Sequence, residues 1–323
     1  LINLLKKIDY DKYNIDLYLL SKGTLYNELP KEVNVIFLSK PSFYKYLPFF
    51  ILKKLIKTDK TIKYDVAIDF SAYNNIFSAY TLNSNANKKV IWIHNDYKIK
   101  YKNEFKFRVL FNLSKSKYKN FDEIVAVSEG VKESFKELTG LTAKKVIPNY
   151  INTDEILKKS EEDVDFHVDD DNINFCFLGR LVYQKGLDLL FPIIKEYKES
   201  NEEFQLYIIG DGPLKDKLIN QVEELDLFDN ITFLGAKKNP FPYLKKCDYL
   251  ILNSRYEGQG MVALEAKSLG LKVIMPERLN KYLNIDYIDI NDLKGVKKFK
   301  KKTDKLEDYN SNITEKINKL LGE

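Results

Sequence analysis

Ser254-Arg-Tyr-Glu-Gly-Gln-Gly-Met-Val-Ala-Leu-Glu-Ala266 is the stretch on which the fold of this chain turns. An apolar run, Tyr249 to Leu252, precedes it, and a second, Leu271 to Met275, follows it. That order predicts a buried strand, a glycine-rich turn and a helix, the repeating unit of a parallel α/β sheet. Glu257 then falls on the turn and Glu265 inside the helix.

The residue types at this turn point to a ligand. Gly258 and Gly260 let a backbone approach closely and leave uncapped amide groups facing a ligand, from Gln259 through Met261 to Val262, at the positive end of a helix dipole, where a diphosphate is well held. Ionised carboxylates accept charge-assisted hydrogen bonds from neutral hydroxyls, so Glu257 and Glu265 suit sugar and ribose. If both were helical they would lie roughly 10 Å apart along the axis, a reach that suits two ends of a nucleotide-sugar.

A second segment supports the first. Phe175-Cys-Phe-Leu178 reads as a buried strand running into Gly179-Arg180 and then Gln184-Lys185-Gly186 at the head of a helix. Arg180 and Lys185 are thereby two cations at the carboxyl end of a strand, where open α/β sheets bind ligands. A departing nucleoside diphosphate gains negative charge as its glycosidic bond breaks, so fixed cations there stabilise the transition state more than the ground state. Glu265 beside the apolar Met261-Val-Ala-Leu264 needs a hydroxyl or cation to meet it, since an unpaired buried carboxylate costs several kcal/mol.

Four motifs in sequence, Gly179-Arg-x4-Lys-Gly186, Ile208-Ile-Gly-Asp-Gly-Pro213, Phe233-Leu-Gly235 and Glu257-x7-Glu265, resemble the donor-binding half of retaining GT-B glycosyltransferases of family 4. Upstream, Val90-Ile-Trp-Ile-His-Asn-Asp96, Ile124-Val-Ala-Val-Ser128 and Val146-Ile-Pro-Asn149 extend the likeness. The resemblance implies two Rossmann-like doubly wound domains facing across a cleft, and transfer of a hexose from a UDP- or GDP-linked sugar to a hydroxyl acceptor with retention, in bacterial surface polysaccharide, lipopolysaccharide or glycoconjugate synthesis. It implies that His94 lies near the donor sugar, that Glu257 contacts the sugar and Glu265 the ribose, that Gly179, Gly210 and the amides of Gly258 to Val262 surround the diphosphate, and that backbone near Leu234 meets the base. Where the family usually has an aromatic residue this chain has Gln259. The departing phosphate would help deprotonate the acceptor, and Arg180 with Lys185 would replace a metal cation, so neither a metal nor a further cofactor is implied. The alternative is a catalytically silent GT-B partner subunit that binds another glycosyltransferase. A dinucleotide enzyme fits poorly, since no Gly-x-Gly-x-x-Gly opens a helix after a strand.

Composition agrees with two domains. The chain has 323 residues, 44% of them hydrophobic, which divides naturally as an acceptor-side domain over 1–150 and a nucleotide-sugar domain over 151–323. Strands are expected at 15–20, 33–38, 65–69, 89–93, 123–127 and 145–147, then at 174–178, 205–209, 230–234, 249–252, 272–275 and 285–290. The acidic stretch Ser160 to Asp171, which holds His167, reads as a flexible joint, and Lys297 to Lys302 as a solvated tail. The chain opens on Leu1 to Ile8, read as an amphipathic helix with no strand or glycine-rich turn before it, so the first, central strand of the N-terminal sheet is expected to be missing, leaving a gap.

Cys176 and Cys247 read as buried thiols in a reducing, cytoplasmic compartment. No apolar run approaches the ~20 residues of a membrane span. The net charge of +5 is uneven: between Lys98 and Asn120 eight Lys or Arg stand against one acid, with Tyr101, Phe105, Phe107, Phe111 and Tyr118 interleaved. The stretch Pro41 to Lys60 repeats the mixture with Phe43, Tyr44, Tyr46, Phe49 and Phe50. Such helices fit peripheral contact with an anionic membrane carrying a lipid-linked acceptor, or else an ordinary solvated face whose aromatics turn inward. No nucleic-acid motif accompanies the charge.

Overall fold

A computed structural model describes residues 1–39, 43–44, 47–72, 74–200 and 203–322. The chain forms two compact units, Leu1–Ile151 with Tyr309–Glu323, and Asn152–Asp308. The second unit therefore ends short of the expected boundary, and the last helix, Glu307–Leu321, returns to the first. Its apolar stripe Ile313, Ile317 and Leu320 is buried, and Lys88 Nζ donates to the Leu320 carbonyl at 3.1 Å. Near its start Tyr309 donates to the Asn149 carbonyl at 3.0 Å.

The first unit holds two parallel sheets. One pairs β1 (Asp16–Leu19) with β2 (Asn34–Phe37); the other runs β3-β4-β5-β6 through Lys63–Asp69, Asn85–Ile93, Glu123–Ala126 and Lys145–Val146. Val90 to Ile93 on β4 are buried on both faces, the pattern of a central parallel strand. β1 and β3 share no ladder. Between them lies a cavity of about 540 Å³ lined by Leu17 and Leu19, Val66 and Ile68, Phe77 and Tyr80. At its rim the Tyr64 hydroxyl donates to Asp16 Oδ2 at 2.6 Å. Only Ile2–Leu5 of the expected opening helix is α-helical.

The second unit is one six-stranded parallel sheet. Its strands β7 (Ile173–Leu178), β8 (Phe204–Ile209), β9 (Ile231–Gly235), β10 (Tyr249–Ile251), β11 (Lys272–Met275) and β12 (Ile288–Asp289) stand in the order β12-β11-β10-β7-β8-β9. The chain lays β7, β8 and β9 in one direction, returns to the other side of β7 with β10, and continues outward. The strand order thus reverses between β7 and β10, and a doubly wound sheet opens its ligand crevice at the carboxyl ends of those two strands. Phe175 and Phe177 of β7, with Leu190, Phe191 and Ile194 of helix Leu187–Lys198, form the centre of the core.

Two surface expectations are corrected. The acidic stretch 160–171 is anchored within the second unit: Phe166 is buried against Tyr207 and Tyr243, and Lys246 donates to its carbonyl. The lysine run from 297 is docked as well. Lys298 pairs with Asp248 at 2.8 Å, Lys301 donates to the Lys245 and Cys247 carbonyls at 2.6 and 3.1 Å, and Phe299 packs on Tyr249. His167 is exposed, and both cysteines are buried free thiols.

Candidate active site

The loops that leave β7 and β10 are laced together at the switch point. Arg255 N donates to the Gln184 carbonyl at 2.7 Å, Gln184 Nε2 to the Tyr256 carbonyl at 3.1 Å, and Asn253 Nδ2 to the Gly186 carbonyl at 3.2 Å. Arg255 also forks onto Asp188 at 2.8 and 2.6 Å and stacks 3.9 Å from the Tyr183 ring centre. Its hydrogen bonds hold the Asp188 carboxyl below the usual carboxylate range. Bidentate geometry of this kind fixes position as well as charge.

This lacing brings three of the sequence-predicted residues, Lys185, Glu257 and Glu265, near one another. Lys185 Nζ donates to Glu257 Oε1 at 2.7 Å, and the Ser254 hydroxyl donates to the same oxygen at 2.6 Å. The Glu257 carboxylate is buried, as are Gly258 and Gln259. Glu265 lies on helix Met261–Ser268, where burial pushes its carboxyl up and the nearby charge of Lys185 opposes that shift. Glu257 is not helical, so the axial spacing argument does not apply to the pair, but the placement of one carboxylate on the turn and one in the helix does. Arg180 is exposed just past β7.

The backbone around this pair is shaped by glycines. Helix Met261–Ser268 begins at Gly260, which sits at φ +63°, a conformation costly for any side-chain-bearing residue, and no side chain caps its first turn. Helix Leu187–Lys198 opens in the same way from Gly186. Met261 and Val262 form the first turn of helix Met261–Ser268, at its positive end. Along the same sheet edge Gly179 N donates to the Ile209 carbonyl and Gly210 N to the Gly235 carbonyl, each at 3.0 Å. A Cβ on Gly210 would stand 1.9 Å from the Gly179 carbonyl oxygen, so two strand ends meet backbone to backbone there. Leu234 closes this edge on β9.

His94 lies in the first unit at the carboxyl end of β4, stacked among Phe70 at 4.3 Å and Trp92 at 6.1 Å between ring centres. Burial above all depresses its pKa to about 4, against a hydrogen bond to the Phe70 backbone that raises it. The imidazole is therefore neutral at ordinary pH, and its Nε2 is buried without a hydrogen-bond partner among the described residues. That atom is an acceptor awaiting a donor.

Sequence reasoning missed Ser254, Asn253, Arg255 with Asp188, and Arg278, whose Nη2 donates to the Ser254 carbonyl at 3.0 Å. Ser254 stands three residues before Glu257, a separation at which a hydroxyl meets a side chain within one turn, and that spacing was the available signal. Nothing in the sequence pairs Arg255 with Asp188 across 67 positions.

Comparison with known proteins follows the same division. The family model described as Glycosyltransferase Family 4 matches residues 3–155, and that described as Glycosyl transferases group 1 matches residues 158–279. An uncharacterized glycosyltransferase of Methanocaldococcus jannaschii, MJ1059, is 31% identical over 267 residues, 77% of this chain and 65% of that protein. The N-acetylgalactosamine-N,N'-diacetylbacillosaminyl-diphospho-undecaprenol 4-alpha-N-acetylgalactosaminyltransferase of Campylobacter jejuni is 28% identical over 272 residues, 81% of this chain and 72% of that one. The chain spans 65% of the length of each of the two M. jannaschii relatives it matches first. Among solved structures, a glycosyltransferase from Rickettsia africae shares the fold, with a TM-score of 0.61 at 18% identity over 99% of this chain and 84% of that one. With both of its halves matched in order and its sheets arranged as the fold requires, the chain belongs to the group 1, family 4 glycosyltransferases of GT-B architecture.

Proposed function

We propose that this chain moves a hexose from a UDP- or GDP-linked sugar to a hydroxyl acceptor with retention at the anomeric carbon and without a metal. The observation that carries the reading is the pairing of Lys185 with Glu257 at the switch point, with Glu265 within reach of the same lysine's charge and an open helix end beside them. The diphosphate would sit on the amides of Met261 and Val262 and draw Lys185 and Arg180 to its developing charge. Glu257 would accept from sugar hydroxyls and Glu265 from ribose. The bond from the anomeric carbon to the diphosphate oxygen breaks as the acceptor oxygen attacks the same face, and the acceptor proton passes to the departing phosphate. In the first unit, neutral His94 would accept a hydrogen bond from a ligand hydroxyl.

A lipid-linked or glycan acceptor, used in surface polysaccharide or glycoconjugate synthesis at the inner face of a membrane, belongs to the same proposal. The name of the C. jejuni relative describes an acceptor on diphospho-undecaprenol. Helix Phe105–Ser114 supports the reading because it is apolar on two faces: Phe107 and Phe111 turn inward onto Tyr97, while Phe105, Val109, Leu110 and Leu113 are 69, 42, 39 and 47% exposed. Apolar side chains exposed together in this way mark a surface that meets a second apolar one. Exposed Lys106 within the helix and Lys102, Lys115 and Lys119 near it in sequence would each add about 1 kcal/mol on an anionic bilayer. The neighbouring helix Phe49–Leu55 adds exposed Phe50 and Leu55; Pro41, Lys45 and Tyr46 of the same basic stretch lie outside the described residues. No described helix is long and apolar enough to cross a membrane.

Transfer is tested by incubating the chain with labelled UDP- and GDP-hexoses and extracted lipid-linked acceptors, and reading the anomeric configuration of the product by NMR. Lys185→Ala is expected to lower kcat about 100-fold, the loss typical of one preorganised donor. A variant as active as the parent, or an inverted product, would refute the mechanism.

A further inference from the structure

Ser254 is fully buried, yet its single hydroxyl proton is committed to one atom, Glu257 Oε1 at 2.6 Å. Lys185 Nζ donates to that same oxygen at 2.7 Å, so both bonds fall on one side of the carboxylate. The backbone of Ser254 is itself held from three directions. Arg278 Nη2 meets its carbonyl at 3.0 Å, and the next residue, Arg255, is tied by its amide to Gln184 at 2.7 Å and by its side chain to Asp188 at 2.6 Å. The serine oxygen is thus a fixed point and Lys185 a movable one, since a long flexible side chain follows whichever anion is nearest.

We propose that Ser254 is a positioning residue for the donor sugar, acting through Glu257. The inference rests on the donor-site reading above. When a diphosphate enters, it competes for Lys185. Glu257 would then lose one of its two holding bonds while it is needed to meet the sugar. Ser254 keeps Oε1 in place and leaves Oε2 turned to the sugar hydroxyls, so the carboxylate is aimed before and after the lysine moves. Ser254 touches neither phosphate nor sugar. Its contribution falls on the sugar half of the donor and not on the nucleotide half, because Glu257 alone transmits it.

The test is calorimetry with UDP, GDP and their glucose, galactose, mannose and N-acetylhexosamine conjugates on the whole chain, for the parent, Ser254→Ala, Ser254→Thr, Glu257→Gln and Ser254→Ala with Glu257→Gln. Ser254→Ala is expected to bind the free nucleoside diphosphate within about twofold of the parent and the sugar conjugate about tenfold more weakly, the scale of one hydrogen bond to a charged group. Ser254→Thr retains the hydroxyl and restores the preference. In the double variant the serine change adds little to the Glu257→Gln loss, because both act through one carboxylate. Equal weakening of nucleotide and conjugate, or no effect of Ser254→Ala on either, overturns the positioning role alone. Failure of the folded parent to bind any of these ligands overturns the donor-site reading together with it.

Discussion

His94 carries its chemistry in its protonation state. Its folded pKa, near 4, lies below the ordinary value of 6.5 because burial opposes the charged ring. As pH falls through 6.5 the unfolded chain takes up a proton that the folded chain refuses until about pH 4, so stability present at neutral pH is lost across that window. At pH 5 the loss from this one group is about 2 kcal/mol. Denaturant unfolding of the parent and of His94→Gln at pH 7 and pH 5 checks it: the stability difference should move toward the variant by that amount, and parallel pH dependence would show that His94 is not the source. At this scale much of the site was legible. Lys185, Glu257 and Glu265 were picked out because their types and spacing fit a diphosphate and hydroxyls, and two of them are in direct contact. Ser254 was not, although its acceptor Glu257 stands only three residues on, and Arg278 was not, because which acceptor a guanidinium meets depends on loops separated in sequence. The lysines at 298 and 301 were misread for the same reason: a run of like charges does not reveal the aspartate and carbonyls that receive it.

At the scale of elements, strand identity followed from apolar runs bounded by turn residues, and strand extent did not. β4 begins at Asn85, well before its apolar part, because β3 pairs with it from Lys63 onward. β12 shrinks to Ile288–Asp289 because, among the described residues, β11 is the one neighbour that holds it. Ladder length is set by the partner, which a single strand's sequence does not contain. The glycines at strand ends are where element and site meet. Gly210→Ala would drive a methyl carbon into the Gly179 carbonyl. We expect it to cost at least about 2 kcal/mol and to weaken nucleotide binding as the edge between β7 and β8 spreads; thermal melting with and without nucleotide measures both, and an unchanged Tm would show that the edge yields freely. Helix Phe105–Ser114 makes the corresponding prediction for a surface. Sedimentation with phosphatidylglycerol vesicles should capture the parent, capture Phe105→Ser with Leu113→Ser about tenfold less well, and fail with phosphatidylcholine alone. Equal capture by both lipids, or by parent and variant, would assign the face to something other than an anionic membrane. The sequence showed that aromatics and bases alternate here; it could not show that Phe107 and Phe111 turn inward while Phe105 and Leu113 do not.

For the whole molecule, the division into two α/β units was readable from alternating strand and helix patterns, and the path of the last helix was not. Helix Glu307–Leu321 has an apolar stripe that any apolar surface could bury, and its partner, the unit built from residues far earlier in the chain, is a tertiary choice. The reversal of strand order between β7 and β10, expected from the resemblance to doubly wound domains and not from the apolar runs themselves, brings Gly179 to Gly186 beside Ser254 to Gly260. The second unit is therefore expected to hold a nucleoside diphosphate at that reversal. The most direct test is a thermal-shift and calorimetric screen of the purified chain against UDP, GDP, CMP and their sugar conjugates, beside Glu265→Ala and Lys185→Ala. One nucleoside diphosphate is expected to stabilise the parent by about 2.7 kcal/mol at a hundred times its Kd, and both variants to lose this. A folded parent that none of them stabilises, or variants that bind as the parent does, would contradict it.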